Sequence, residues 1–222
     1  MEQERMRVRL TLIDEMLGTA SADPELHREY IASKAPDAPS TEEEVAALGV
    51  EAMIEKGMTV FPKDETGNPF LWTYQVKGFF KSACKALKKM PGTLSSKVKA
   101  YKQEIDLRIF VFSDADDRSS RQLPIHLSGA LGNCQRPLRA STMQGDRVAL
   151  ANSEVVPKGS TIEFDILGLG KLDKALIAEW LDYGSLNGLG QWRNSGKGAY
   201  CWEELDESGN VIGGNASAYL KA

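Results

Sequence analysis

Arg147-Val148-Ala149-Leu150-Ala151-Asn152-Ser153-Glu154-Val155-Val156 runs into Pro157-Lys158-Gly159 and then into Ser160-Thr161-Ile162-Glu163-Phe164-Asp165-Ile166-Leu167. Ile162, Phe164 and Ile166 alternate with Glu163 and Asp165, the period of two that gives a strand one dry and one wet face. The apolar run before the Pro-Lys-Gly turn reads as a second strand, and the turn suits a hairpin. An antiparallel sheet is the expectation.

Working outward, Val8, Leu10 and Leu12 alternate with Arg7, Arg9 and Thr11, so the chain opens on a strand that Gly18 closes. Pro24 to Lys34 and Thr41 to Lys56 read as helices separated by Ala35-Pro36-Asp37-Ala38-Pro39, and Asp64-Glu65-Thr66-Gly67-Asn68-Pro69 is a dense turn signal. From Tyr74, apolar Val76, Phe80, Ala83 and Leu87 recur at helical spacing, and Lys77, Lys81, Lys85 and Lys88 form a second stripe beside them. Ile105 to Phe112 is rich in β-branched and aromatic residues and reads as a strand, Asp114 to Arg121 as a loop, and Leu123 to Thr142 as irregular. Asp173 to Tyr183 reads as a helix with Gly184 at its C-terminal end, Ala199 to Leu205 as the last core strand, and Gly209 to Ala222 as a tail that could add a hairpin. Strand, helix, strand, strand, helix, strand is an α+β order, that of a ferredoxin-like (RRM-like) βαββαβ core. The expected organisation is one domain over residues 1–222, with a helical insertion over 20–60 after the first strand.

Gly188-Leu189-Gly190-Gln191-Trp192-Arg193-Asn194-Ser195-Gly196-Lys197-Gly198 brings glycine, cation and aromatic together more closely than any other stretch. Glycines that accept positive φ can bring backbone N–H groups to an anion, Arg193 and Lys197 supply charge, and Trp192 supplies a stacking face. A phosphate of a nucleic acid fits that chemistry; a plain turn between helix and strand fits the glycines equally well.

The 222 residues carry a net charge of −4, which argues against coating nucleic acid by bulk electrostatics. Distribution matters more. Thr66 to Gln103 holds no Asp or Glu but contains Lys77, Lys81, Lys85, Lys88, Lys89, Lys97, Lys99 and Lys102, whereas acids collect at Glu42, Glu43, Glu44, Glu51 and Glu55 and at Glu203, Glu204, Asp206 and Glu207. The molecule is therefore expected to be electrically polarised. Cys84, Cys134 and Cys201 are scattered and odd in number, and His27 and His126 stand alone, so the sequence carries no zinc or disulfide signature and calls for no cofactor. No apolar run approaches the roughly 20 residues of a membrane span, and the charged Met1 to Arg9 lacks a signal-peptide core, so an intracellular, cytoplasmic protein without a membrane partner is expected.

Four of these segments together resemble the RAMP superfamily of CRISPR-associated proteins, and within it the backbone subunits that polymerise along a guide RNA. They are Val8 to Gly18; Asp64 to Phe70 with Gln75-Val76-Lys77-Gly78-Phe79-Phe80-Lys81-Ser82-Ala83; Arg139-Ala140-Ser141-Thr142 through Glu154 to Phe164; and the glycine loop Gly188 to Gly198. The resemblance implies an RRM-like core that binds single-stranded RNA, associates with copies of itself or other RAMP-type subunits, and serves antiviral defence, or else a diverged relative carried by a mobile element. It assigns RNA backbone contact to Lys77, Lys81 and the glycine loop, with Arg136, Arg139 and Arg147 in the neighbouring central region. Lys85 of the lysine stripe is a further candidate, and the candidate nucleic-acid-binding residues of the loop are Gly188, Gly190, Trp192 as a stacking face, Arg193, Asn194, Gly196, Lys197 and Gly198. The family's cleaving subunits carry an Asp after the first strand; here only Asp23 and Asp37 are candidates, and neither His27 nor His126 falls on a motif of the guide-processing members, so the reading is a non-catalytic binder. Two alternatives stay open: a protein-interaction module using Glu42, Glu43 and Glu44, and a metal-independent endoribonuclease in which Lys77 or Tyr74 assists a 2′-hydroxyl.

Overall fold

The computed structural model describes residues 2–22, 58–142, 145–170 and 172–220, with the backbone alone over 138–150. The segments read as helices at 24–34 and 41–56 lie outside the described residues; at the margins of the 20–60 insertion stand two short strands, Ala20–Ser21 and Thr59–Val60. In chain order the strands are β1 (Gln3–Leu12), β2 (Met16–Leu17), β3 (Ala20–Ser21), β4 (Thr59–Val60), β5 (Phe70–Trp72), β6 (Ile109–Phe112), β7 (Gln122–His126), β8 (Gly132–Thr142), β9 (Gly145–Val156), β10 (Thr161–Leu169), β11 (Tyr200–Leu205) and β12 (Val211–Gly214). The helices are α1 (Thr73–Leu87), α2 (Tyr101–Arg108), α3 (Lys174–Asp182) and α4 (Ala216–Tyr219). The protein is thus mixed α and β, with largely antiparallel sheets.

Two compact units divide the chain: Met1–Met16, Pro62–Ala130 and Val156–Ala222 form one, Leu17–Phe61 and Leu131–Val155 the other. The first holds a seven-stranded sheet in the order β12-β11-β1-β10-β7-β5, with β6 also on β10. Strand β10 is long enough to serve two neighbours, since Thr161 and Ile162 face His126 and Ile125 of β7 while Asp165 to Gly168 face Phe112 to Ile109 of β6. The alternation along β1 places Met6, Val8, Leu10 and Leu12 in the core. Leu10 is level with Trp202, whose indole donates to Asp182 at the end of α3, so this apolar face is the one the helices cover. Val76, Phe79, Phe80 and Ala83 of α1 and Ile177, Trp180 and Leu181 of α3 complete it, with Phe79 edge-on to Tyr200 and Phe80 tilted against Trp180. Burying side chains of this size stabilises by about 1.5–3 kcal/mol each before entropy is counted.

The second unit holds a five-stranded sheet, β2-β9-β4-β3 with β8 on β9. Inside it Thr59 and Ser153 hydroxyls bond at 2.7 Å and Phe61 N–H donates to Glu154 at 2.9 Å.

Three expectations are corrected. Ile105 to Arg108 is the second half of α2, not strand: only Ile105 of that stretch is buried, and Glu104 pairs with Arg108 one turn on, which is helical economy. Leu123 to Thr142 is not irregular, because it contains β7 and the eleven-residue β8. Strand β8 pairs with β9 over its whole length, Gly132 opposite Val155 through Thr142 opposite Gly145, and this pairing with the next strand outweighs the poor strand propensity of Gly132, Asn133 and Pro137. Within the described residues β8 has no other neighbour, so it is an edge strand, the place where a proline lacking an N–H is tolerated. Finally, Pro157-Lys158-Gly159 is a turn but not a hairpin. Its backbone is engaged by the end of β1, with Gly159 N–H donating to Leu12 O at 2.8 Å and Leu12 N–H to Ser160 O at 3.0 Å, so β9 pairs with β8 while β10 pairs with β1.

Candidate nucleic-acid interface

Helix α1 is built by the spacing that predicts it. Its start is set by Gln75, whose side chain accepts from Trp72 N–H at 2.8 Å. Lys77 and Lys81 do not stand free on its surface. Lys77 Nζ donates to the carbonyl of Asp106 at 3.2 Å and lies 5.0 Å over the Phe110 ring, and Lys81 forms an ion pair with the Asp106 carboxylate. Burial pushes the Lys77 ammonium below its ordinary range, with Asp106 acting against that effect. Helix α2 thus covers the first half of the lysine stripe, and Tyr74, the other candidate for chemistry, is two-thirds exposed at the helix start.

Beyond that cover the character changes. Lys85, Lys89, Lys97, Lys99 and Lys102 are exposed and make no ion pair among the described residues. Lys88 is committed, donating to Val98 O at 2.8 Å and lying 5.7 Å over Tyr101. The 3-10 turn Ser95–Lys97 that carries Lys97 is anchored by Glu179 of α3, which accepts from Leu94 N–H, Ser95 N–H and Ser95 Oγ at 2.6, 2.9 and 2.6 Å. Burial resists charge on Glu179, yet these bonds hold its carboxyl below the ordinary carboxylate range. Gly78, exposed in the middle of α1, meets nothing within 4 Å of where a Cβ would be, so internal packing gives no reason for a glycine there. Tyr74 and Lys81 flank it one turn away, and Lys85 follows on the same face two turns on.

The glycine loop has a different geometry from the open anion cradle that its composition suggests. Gly188 and Gly198 are pressed together, with Leu189 N–H donating to Gly198 O at 3.0 Å, and a Cβ on Gly188 would overlap that carbonyl. Gly198 N–H is spent on Glu15 O at 2.7 Å. Lys197 Nζ lies 3.0 Å from both Asp14 Oδ1 and Glu15 Oε2. The bonds to Glu15 and Asp14 raise the Lys197 ammonium above its ordinary range, burial opposing. The cation read as a phosphate ligand is therefore neutralised within the chain. Gly190 and Gly196 take φ of 80° and 90°, and Trp192, 40% exposed, sits at φ 56°, left-handed for a residue with a large side chain. Arg193 is half-buried without an ion pair among the described residues, and Asn194 is exposed.

The central arginines divide. Arg136 is buried within the second unit and donates to Ser153 Oγ at 3.0 Å. Arg139 and Arg147 stand opposite Val148 and Ala140 in the β8–β9 ladder, and their side chains lie outside the described residues. His126 is exposed on β7; His27, Asp23, Asp37 and Glu42 to Glu44 lie outside the described residues.

Sequence reasoning left three further cations without a role. Arg5, Arg7 and Arg9 of β1 alternate with the buried Met6, Val8 and Leu10 and so project from the sheet face opposite the helices. Each is met by acid: Arg5 by Asp165 at 2.8 Å and Asp116 at 2.9 Å, Arg7 by Glu163 at 3.4 Å, Arg9 by Glu163 at 2.8 Å and Glu203 at 3.4 Å. The alternation Arg-x-Arg-x-Arg against Glu-x-Asp in β10 is the signal that could have found this lattice. Among the described residues it leaves these three arginines charge-compensated, in contrast to the lysines of the α1–α2 side.

No family model matches the chain, and no curated protein matches it. Among solved structures it is similar to a chain in the cryo-EM structure of the type III-B Cmr-β complex bound to cognate target RNA, at 11% sequence identity and a TM-score of 0.47, over 92% of this chain. It spans 60% of that chain's length. No helix among the described residues is long and apolar enough to cross a membrane.

Proposed function

We propose that the protein binds single-stranded RNA through the basic segment of α1, the following loop and α2, as a non-catalytic, RAMP-type binder that can line up with copies of itself along the strand. One observation carries this: Lys85, Lys89, Lys97, Lys99 and Lys102 are exposed and without an ion pair among the described residues, in a stretch, Thr66 to Gln103, that contains no acid. Five like charges without compensation cost stability on a free surface and are relieved by phosphates. The strand order β11-β1-β10-β6, with α1 and α3 covering one face, supports a ferredoxin-like core for this binder.

Anisotropy of a fluorescent single-stranded RNA, read at low and raised salt, tests the proposal. Binding should weaken with salt by a log–log slope of about −0.7 per phosphate contacted. Replacing the five lysines by Ala should flatten that slope. No binding at low salt, or an unchanged slope in the variant, overturns the reading.

A further inference from the structure

Beside the lip formed by Val98, Lys99 and Ala100 lies a cavity of about 370 Å³, floored by Ile109, Leu172, Ile177 and Trp180 and rimmed by Lys99, Glu104, Arg108 and Asp173, whose carboxylate already accepts from Leu176 N–H at 3.1 Å. That volume falls in the roughly 300–1,000 Å³ range of small-ligand sites. We propose that it is a pocket for one unstacked purine of the bound strand, an inference that rests on the RNA-binding reading above.

Three observations converge on this occupant. The first is continuity: the lip belongs to the segment that carries the exposed lysines, so a backbone held at Lys97, Lys99 and Lys102 passes the mouth. A base leaving the stack there needs apolar surroundings, and the floor is apolar, its four members each at most 8% exposed. The second is the polar rim. Glu104 Oε2 accepts from Arg108 Nη1 at 3.0 Å, so an acceptor and a donor stand side by side, while Lys99 has no partner among the described residues. A carboxylate accepts from the N1–H and N2–H₂ of guanine or the N6–H₂ of adenine, and a cation donates to O6 or N7. Uracil offers no amino group and matches that rim less well. The third is rigidity. Glu179 ties down Leu94 and Ser95 just before the lip, Trp180 Nε1 donates to Ser95 Oγ at 2.9 Å, and Lys88 holds Val98 O at 2.8 Å, so the opening is held in place before any ligand arrives.

The probes are three single-stranded RNAs of equal length: uridine only, the same with one central guanosine, and the same with one central adenosine. The guanosine strand should bind about five- to a hundredfold tighter than the uridine strand, with adenosine between them. Glu104→Ala, at an exposed helical position, should abolish that preference without weakening binding of the uridine strand. Equal affinity for the three strands, or a preference that survives Glu104→Ala, overturns the pocket while the RNA-binding reading stands. Failure of all three to bind at low salt overturns both.

Discussion

Lys197 Nζ sits 3.0 Å from Asp14 Oδ1 and 3.0 Å from Glu15 Oε2, so the ammonium that would receive a phosphate in the glycine loop is already engaged by the chain's own carboxylates. The double variant Asp14→Asn, Glu15→Gln should release the ammonium and raise RNA affinity at low salt by about 1.4- to 5-fold, the equivalent of the roughly 0.2–1 kcal/mol that an exposed pair is worth. Lys197→Ala alone should change affinity little, and a large loss would show that the ammonium leaves its carboxylates on binding. The pH dependence follows from the raised Lys197 ammonium. Its stabilising contribution is fully present below the free lysine value of about 10.4 and is lost as pH rises through the higher folded value. Thermal melts of wild type and Lys197→Met should therefore converge only in strong alkali.

Gly78→Ala separates stability from binding. A glycine inside an exposed helix costs about 0.5–1 kcal/mol relative to alanine, and here nothing lies within 4 Å of the added methyl, so the variant should melt higher, by roughly 1–4 °C for a chain of this size. If RNA backbone crosses α1 between Tyr74 and Lys81, the same methyl should weaken RNA binding. A variant that is more stable and binds RNA as well as wild type would remove Gly78 from the interface.

The fold was legible where one residue's neighbours decide its fate. Alternation fixed β1 and β10, and the stripe of Val76, Phe80 and Ala83 fixed α1, because burial of a face has a period that the chain displays. Partnership was not legible. Pro157 to Gly159 has every mark of a hairpin, but the choice of Leu12 as partner for Gly159 is made by a strand 147 positions away. The same limit applies to charge: Arg136, read as a surface contact, is buried against Ser153, and Lys77 and Lys81 are claimed by Asp106, which stands just beyond the acid-free window. The sequence shows which residues carry charge, and only packing shows which charges are still unspent.

Gly184 offers a test of the core. It reads as a helix-stopping glycine, but no left-handed turn is present there; a Cβ at that position would overlap the ring of Tyr200. Tyr200 is fully buried and edge-on to Phe79, so the ring has nowhere to move. Gly184→Ala should destabilise by about 1–3 kcal/mol, as overpacking does, and lower the melting temperature. Adding Tyr200→Leu should return part of the loss. Two additive losses would mean that the close approach is not the cause.

Glu179 links α3 to the lysine-bearing turn. Its three bonds from Leu94 and Ser95 predict that Glu179→Ala costs about 1–3 kcal/mol through the N–H groups left unpaired. Because those bonds keep the Glu179 carboxyl below its ordinary range against the cost of burial, the contribution is present above the free glutamate value of about 4.3 and is lost as pH falls through the lower folded value. Denaturant midpoints of wild type and variant should therefore differ at neutral pH and approach each other in acid. Hydrogen exchange supplies the spatial readout: the amides of Leu94 and Ser95 should lose protection in the variant while those of β1 keep theirs. Uniform loss across both would mean that Glu179 supports the whole core rather than holding the turn.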